Sequence, residues 1–232
     1  MFKEKTVQTD NMPLSRIRTK SKNPPSIAYM THHNLFDFDP SLNLLPKDGE
    51  VNYYGPLFDP NTSNVYFDQL HSSVPWREDQ VMMNGKLITT ARKVAWIADS
   101  GFSYSYSGTT KIASDWTPEL LQLKAKVEQI TKTSFNSCLL NLYHHGLEGM
   151  AWHSDDEASL GSSATIASLS FGATRKFAFR HKVTKETRAL MLEPSSLLVM
   201  KGETQRHWRH SLLTSKQVAQ ARINLTFRAI IL

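Results

Sequence analysis

Six short segments in the C-terminal part of the sequence place apolar residues at alternate positions and are rich in strand-forming residues. They are SCLLNLYHH, TIASLSFG, RKFAFRHK, TRALMLEP, SSLLVMKG and ARINLTFRAIIL, each bounded by Gly, Pro, Ser or charged residues. An alternation of period two is typical of a strand with one buried face. We expect about eight strands in all in this part of the chain, and such a succession favours a β-sandwich or a jelly roll.

Two segments before the strands have helical periodicity. In residues 61–76, Val65, Leu70 and neighbouring aromatics have near-helical spacing, and Pro75 ends the pattern. In residues 115–132, a Thr-Pro pair supplies a cap and a first turn. The apolar face of this second helix is predicted to consist of Leu120, Leu123, Val127 and Ile130. We therefore expect an α+β fold with these helices on one face of the β structure.

Composition limits the class of protein. The chain has 232 residues and a formal net charge of +6, a surplus compatible with a nucleic-acid partner. Cys138 is the single cysteine, which excludes a disulfide framework and favours a reducing compartment. The sequence has neither a long apolar run nor an N-terminal apolar h-region. We expect a monomer without a membrane partner, intracellular, in a bacterial cytoplasm or a eukaryotic nucleus.

A histidine followed by three acids marks the candidate metal site. His153 and Asp155 are two positions apart, so in an extended segment both side chains point to the same side. Glu157 would share that side, and Asp156 would point away. His210 precedes a strand-like segment in the C-terminal third. Two histidines and one carboxylate on a β scaffold suit non-haem Fe(II), and zinc is also compatible with this set.

The last predicted strand has two different faces. Four polar residues alternate there with three apolar ones, and two of the polar residues are arginines. Buried arginines require anionic partners, and a small dicarboxylate would offer one to each guanidinium. The residues expected to face such a cavity are Arg222, Asn224, Thr226 and Arg228. The alternative is an exposed amphipathic strand with solvated arginines. The NLYHHG segment has the same construction, with Asn141 and Tyr143 on one face.

Together these motifs resemble the AlkB family of Fe(II)- and 2-oxoglutarate-dependent dioxygenases, most closely its nucleic-acid repair branch. The resemblance extends from about Pro75 to Leu232 and is carried by NLYHHG, HSDDE, IASLSFGATRKFAFRHK, SLLVM, HWRHSL and RINLTFR. It implies a double-stranded β-helix, or jelly-roll, core over about 136–232, with N-terminal helices on one face. It also implies a substrate-recognition lid over about 76–108. The single domain would then be 29–232, and the basic residues 1–28 would form a flexible tail.

The resemblance also implies the roles of the polar residues. Fe(II) is expected at His153, Asp155 and His210. The 2-oxoglutarate cosubstrate is expected at Arg222, with Tyr143, for its distal carboxylate. The end of the cosubstrate near the metal is expected to contact Arg228, with Asn141 and Asn224. Thr226 lies on the same strand face and is expected to support the site. The expected catalytic residues are the three metal ligands and Arg228. O2 is the remaining reactant.

The implied activity is oxidative demethylation of nucleobases of the 1-methyladenine and 3-methylcytosine type. Hydroxylation of the N-alkyl group would release formaldehyde, succinate and CO2. DNA is the expected partner, and RNA stays open. The alternatives are an oxygenase that acts on a protein or lipid, and a catalytically silent nucleic-acid-binding module. The three acids, the aromatic lid and the complete ligand set argue against these alternatives.

Several residues are predicted to contact substrate. By resemblance, Tyr104 and Tyr106 belong to the lid, where an aromatic ring would stack on an extruded base. The apolar tip before Asn84-Gly85 predicts a hairpin whose Met82 and Met83 act as a wedge or pack under the lid.

Charged residues near the lid complete the expected contacts. Arg92 is expected to meet phosphates, or to pair with Asp156 and so link core and lid. Glu157 is expected to sense a cationic base by Coulomb attraction.

Overall fold

The computed structural model describes residues 39–231 except for 84, 100–102, 107–108 and 162, and describes only the backbone of 81–83, 86, 103–106 and 109–112. The predicted flexible tail, residues 1–28, lies outside the described residues. In chain order the strands are β1 Glu50–Pro56, β2 Arg77–Met83, β3 Lys86–Ala98, β4 Ser103–Tyr106, β5 Thr109–Ile112, β6 Ser137–Tyr143, β7 Met150–His153, β8 Ile166–Gly172, β9 Arg175–His181, β10 Thr187–Leu192, β11 Ser196–Lys201, β12 Trp208–Leu212 and β13 Arg222–Arg228. The helices are α1 Pro60–Ser73, α2 Pro118–Thr131 and the short α3 Thr204–His207.

The strands form two facing sheets and a separate hairpin. The major sheet has seven strands in the order β1-β11-β8-β13-β6-β3-β2. The minor sheet has four strands in the order β10-β9-β12-β7, and β4 pairs with β5 alone. The pairs between neighbouring strands are antiparallel. The predicted α+β fold with a jelly-roll core is confirmed, and all six segments with period two are strands.

The major sheet has an apolar layer on each side. One layer joins its outer face to the buried residues of α1 and α2, among them Leu70 and Leu120. The other joins its inner face to the minor sheet, where Phe177, Phe179 and Trp208 are buried. The prediction that the helices pack on one face of the β structure is therefore confirmed. None of the helices among the described residues is long and apolar enough to cross a membrane.

Both predicted helices form close to their expected limits. The Thr117 hydroxyl accepts a hydrogen bond from the Leu120 N–H at 3.4 Å, so it caps α2 as expected. Helix α1 begins after Asp59, whose carboxylate accepts from two amides of the first turn. It ends at Ser73, just before Val74 and Pro75. Val65, expected on the apolar face of α1, is exposed, because the helix packs on the sheet through Leu70 and neighbouring aromatic residues.

Helix α2 offers a matched pair of leucines that tests the importance of its buried face. Leu123 is fully buried against the major sheet, whereas Leu121 is 47% exposed. We expect Leu123→Ala to lower the free energy of unfolding by about 2–5 kcal/mol, because it removes buried methyl groups and leaves a cavity. Leu121→Ala should change it by less than about 0.5 kcal/mol. Urea unfolding followed by circular dichroism measures both, and equal losses would contradict this packing.

Candidate active site

Pairing of two neighbouring strands brings the two predicted histidine ligands together. In the minor sheet His210 of β12 lies directly opposite His153 of β7, and their ring centroids are 4.2 Å apart. Asp155 follows β7 by two residues and is buried. One ligand atom from each of the three residues lies within 4.8 Å of the others. The predicted triad therefore converges on one point, although its members are separated by up to 57 positions in the sequence.

The protonation of the histidines suits a metal. The His153 Nδ1 lies 2.7 Å from the Ala151 carbonyl, which can only accept, so Nδ1 carries the proton and Nε2 is free to bind an ion. Burial lowers the pKa of His210 to about 3, which holds that imidazole neutral. Neutral imidazoles and a carboxylate are the forms in which these residues bind metal. The chemistry of the donor set therefore fits Fe(II).

An arginine holds the carboxylate of the triad. Arg228 Nη2 lies 2.9 Å from Asp155 Oδ2. Burial alone would raise the pKa of Asp155, but the neighbouring Arg228 guanidinium opposes it, and that pKa is lowered. Burial in turn would lower the pKa of Arg228, yet the carboxylates of Asp155 and Glu157 raise it. Since Arg228 engages Oδ2, Oδ1 stays on the side of His153, whose Nε2 is 3.7 Å away.

A cavity of about 270 Å³ lies between the two sheets and contains the triad. Its wall on the major sheet consists of alternate residues of neighbouring strands, because the others point into the helix layer. All of the residues predicted to bind the cosubstrate line it: Asn141, Tyr143, Arg222, Asn224, Thr226 and Arg228. The apolar residues between them on β13, Ile223, Leu225 and Phe227, are fully buried under the helices. The predicted two-faced strand is thus confirmed.

Arg222 is a buried cation without an acidic partner among the described residues. Its Nη2 donates to the Ser170 hydroxyl and to Asn224 Oδ1, both at 2.9 Å, and its Nε has no partner. Burial lowers the pKa of Arg222 to about 10, so the guanidinium is still charged at neutral pH. The Tyr143 ring centroid is 5.6 Å from it. A charge so placed needs an anion, which fits a carboxylate of the cosubstrate.

The three consecutive acids have different environments. Asp155 belongs to the triad, and Glu157 lines the cavity with its Oε2 buried and unpartnered. Asp156 points outward and lies 3.5 Å from Lys182. The predicted pair between Asp156 and Arg92 is therefore wrong. Alternation along the chain turns Asp156 away from the cavity, whereas Arg92 lines it.

Arg92 pairs instead with a residue that the sequence did not single out. Its guanidinium contacts the carboxylate of Asp79, which precedes it on the neighbouring strand, and both residues line the cavity. Arg92 thus forms an ion pair within the cavity wall, and its expected phosphate contact stays a prediction. It still belongs to the same cavity as Glu157 and the triad.

The predicted lid is partly described. The hairpin of β2 and β3 forms as expected, with Met83 paired to Lys86 and Gly85 in the left-handed region at φ 75°. Its β3 strand continues into the major sheet. The side chains of Met82 and Met83 lie outside the described part of the structure. The same holds for Tyr104 and Tyr106 on β4, so the predicted contacts of all four stay predictions.

Several residues in or beside the site were missed from the sequence, and some had a signal. Val94 and Trp96 continue the alternation begun by Arg92 along β3, and the Trp96 indole donates to the Ser137 hydroxyl at 2.8 Å. Ser170 also follows strand alternation, as a polar residue in an apolar segment. No such pattern reveals Gln205, whose side-chain oxygen accepts from the Asp155 N–H at 3.0 Å. It lies on α3, and only the fold brings it to the triad.

Removal of the triad carboxylate tests the metal site. We expect Asp155→Ala to abolish metal binding and succinate formation, because two imidazoles remain and Arg228 loses its buried partner. Calorimetric titration with Mn(II) and a succinate assay measure this. Asp156→Ala is the matched control, since that carboxylate is exposed, and should retain both. Succinate formation at the wild-type rate by Asp155→Ala would overturn the assignment.

Removal of the Arg222 guanidinium tests whether this residue binds 2-oxoglutarate. We expect Arg222→Gln to weaken 2-oxoglutarate binding by about 2 kcal/mol or more, because the carboxylate loses a desolvated charged partner. Mn(II) affinity should stay unchanged, since Arg222 does not contact the triad. Anaerobic titration of the metal-loaded protein with 2-oxoglutarate measures the change. The exposed Arg188, on β10, supplies the control variant Arg188→Gln, and equal weakening by both variants would contradict this role.

Comparison with known proteins agrees with the site. The family described as the 2OG-Fe(II) oxygenase superfamily matches residues 50–228. The chain is 36% identical over 203 residues to DNA oxidative demethylase ALKBH2 of Mus musculus, covering 83% of this chain and 85% of that protein. It is 39% identical over 173 residues to alpha-ketoglutarate-dependent dioxygenase alkB homolog 3 of Bos taurus, covering 71% of this chain and 60% of that protein.

A solved structure shows the same fold at lower identity. The structure of OsALKBH1 aligns with a TM-score of 0.51 and 16% identity, covering 80% of this chain and 98% of that chain. The family implies Fe(II), 2-oxoglutarate and O2, and the triad and the unpaired Arg222 fit the first two. The chain therefore belongs to the AlkB family of the 2OG-Fe(II) oxygenase superfamily.

Proposed function

We propose that the chain is an oxidative demethylase that removes N-alkyl groups from nucleobases in DNA, with RNA as a second substrate class. One observation carries the proposal. A single cavity holds a candidate metal-binding triad, an unpaired buried guanidinium at Arg222 and a buried oxygen of Glu157 that has no hydrogen-bond partner among the described residues. The name of the murine relative, a DNA oxidative demethylase, supports the same conclusion.

Each part of the cavity has a task in this proposal. The triad of His153, Asp155 and His210 would hold Fe(II). Arg222 with Tyr143 would bind the distal carboxylate of 2-oxoglutarate, and Arg228 with Asn141, Asn224 and Thr226 would serve the end near the metal. Fe(II) and 2-oxoglutarate, when bound there, would supply the O2-dependent hydroxylation that releases formaldehyde, succinate and CO2.

The environment of Glu157 favours a cationic base as the substrate. Its Oε2 is buried in the cavity wall without a hydrogen-bond partner among the described residues. A buried acceptor of this kind is satisfied by a donor or a positive charge from the substrate. Alkylated bases of the 1-methyladenine and 3-methylcytosine type are cationic at neutral pH and would provide both. A neutral lesion provides less, so Glu157 would act as the selective contact.

The outer face of the minor sheet supports a polyanionic partner. Arg180 on β9 lies directly opposite Arg209 on β12, and among the described residues neither has an acidic partner. The Arg180 guanidinium stacks over the Trp152 ring at 4.0 Å, and Lys182 and Lys185 lie beside them. Like charges placed directly opposite each other repel, and an anion bound between them would relieve that repulsion. Phosphates of a polynucleotide whose extruded base enters the cavity would fill that role.

The lid residues complete the proposed substrate site. Tyr104 and Tyr106 would stack on the extruded base, and Met82 and Met83 would fill the gap that it leaves or pack under the lid. Arg92, which lies in the cavity wall, would also contact the substrate. We also propose that the enzyme is an intracellular monomer, in a bacterial cytoplasm or a eukaryotic nucleus, where its single buried cysteine needs no disulfide partner.

The proposal is tested by formaldehyde release from methylated oligonucleotides. The panel contains single- and double-stranded DNA and RNA with 1-methyladenine or 3-methylcytosine, each with and without Fe(II) and 2-oxoglutarate. Release from DNA that requires both additions is the expected result. Succinate production without release from any oligonucleotide would instead favour an oxygenase with a different substrate. Oligonucleotide binding without either product would favour a catalytically silent binding module.

Neutralising Glu157 tests the selective contact. We expect Glu157→Gln to lower kcat/KM for 1-methyladenine in DNA by about tenfold, because the cation loses a nearby carboxylate in a site of low dielectric. Activity on a neutral alkylated base should fall much less. Formaldehyde assays on matched oligonucleotides measure the ratio. An equal decrease on both lesions would disprove the assignment, and Mn(II) affinity checks that the triad is intact.

A further inference from the structure

The β2–β3 hairpin is anchored to the core through only part of its length. Residues 93–98 of β3 pair with β6, inside the major sheet. Residues 86–89 pair with residues 80–83 of β2, and among the described strands they have no third neighbour. These two segments are called the outer hairpin. It presents Leu87 and Ile88 to solvent, with 61% and 40% of their surfaces exposed.

A bulge separates the outer hairpin from the anchored part. Glu78 pairs with Lys93, but the next described pair is Gln80 with Thr89. Asp79 alone therefore lies opposite residues 90–92 of β3. Extra residues in one strand interrupt the ladder, increase its twist and redirect the strand beyond them. The direction of the outer hairpin is consequently decided at this bulge.

Side chains replace the ladder hydrogen bonds at the bulge. The Asp79 carboxylate contacts the Arg92 guanidinium, and the Thr90 hydroxyl lies 3.3 Å from the same carboxylate oxygen. The Thr90 hydroxyl is also 3.4 Å from the Arg92 carbonyl. Only 9% of the Asp79 side chain and 14% of the Arg92 side chain are exposed. Separating the pair would leave buried charges uncompensated, so one geometry of the bulge is strongly favoured.

The same ion pair faces the reaction cavity. Asp79 and Arg92 line the cavity that contains the triad and Tyr143. A residue at this point can transmit the position of the outer hairpin to whatever enters the cavity. The ion pair is therefore a connection between the cavity wall and the part of the hairpin that projects from the sheet.

We propose that Asp79 is a positioning residue, whose ion pair with Arg92 holds the outer hairpin in place at the cavity and so orients the substrate base. Its effect on substrate rests on the proposed function. Its effect on the hairpin does not, because the bulge and the ion pair are present without substrate. Asp79 acts through Arg92 and the backbone and needs no contact with the reacting atoms.

Amide hydrogen exchange tests the mechanical part without any substrate. In Asp79→Asn, the exchange rate of the outer hairpin should rise about tenfold or more, because the buried pair no longer holds the bulge. Exchange in residues 93–98 and in β13 should stay as in the wild type. Glu78→Gln is the matched control, since this neighbouring acid is exposed and should change neither region.

Two results would overturn the mechanical part. One is unchanged exchange in the outer hairpin, and the other is an equal rise throughout the major sheet, which would make Asp79 a merely structural residue. If Asp79→Asn does not fold, Thr90→Val replaces it, since it keeps both charges and removes only the hydroxyl donor. That variant should give the same local rise to a smaller degree, and no local rise would again refute the proposal.

Kinetics test the consequence for substrate. Asp79→Asn should raise the KM for a methylated oligonucleotide about tenfold while the KM for 2-oxoglutarate stays unchanged. The double variant Asp79→Asn/Arg92→Gln should be no worse than the poorer single variant, because the two residues act as one unit. An unchanged oligonucleotide KM, or additive effects, would refute the positioning role. If the wild-type protein processes no oligonucleotide, the proposed function fails, and hydrogen exchange still decides the role in the hairpin.

Discussion

The central strand β13 imposes the constraint on which the rest of the structure depends. It lies between β8 and β6, and both of its faces are covered. Its apolar residues meet the helices, so the polar residues between them are directed into the space between the two sheets. A strand with two arginines can be buried in this way only if that space holds anionic groups. The cavity and its charges are consequences of this one alternating sequence.

The positive charges of the two buried arginines, Arg222 and Arg228, are compensated to different degrees. Arg228 is paired within the protein, because Asp155 and Glu157 supply negative charge beside it. Arg222 has only neutral partners, the Ser170 hydroxyl and the Asn224 amide oxygen. Its charge is therefore uncompensated in the protein alone. The charges at the triad end of the cavity nearly cancel, whereas the Arg222 end carries an uncompensated positive charge. In the proposed site this difference would orient the cosubstrate, with its distal carboxylate at Arg222.

The minor sheet positions the predicted metal ligands by the same alternation. His153 and His210 face inward from two paired strands, and their chain neighbours Trp152 and Arg209 face outward. The inner surface of the sheet thus carries the triad, while its outer surface carries cations. Asp155 completes the triad just beyond the end of β7, where Gln205 and Arg228 fix its backbone amide and its carboxylate. The site depends on contacts from both sheets.

Strand alternation made much of the fold and the site predictable. It gave the six core strands, the two faces of β13 and the orientation of Asp155, Asp156 and Glu157, because period two is a local property of extended chain. It did not give the partner of Arg92. That required the bulge in the hairpin, which sets Asp79 opposite Arg92 through an irregular register. Gln205 was equally hidden, because a polar residue in a short helix carries no periodic signal.

The sequence by itself determined which residue types alternate, and therefore the strands, the helices and the polar and apolar faces. Only the tertiary structure decided which of those faces meet. Strand pairing set His153 against His210, and packing of the two sheets brought Arg228 to Asp155. The physical reason is that alternation follows from local backbone geometry, whereas charge pairing depends on which distant segments share a buried space of low dielectric.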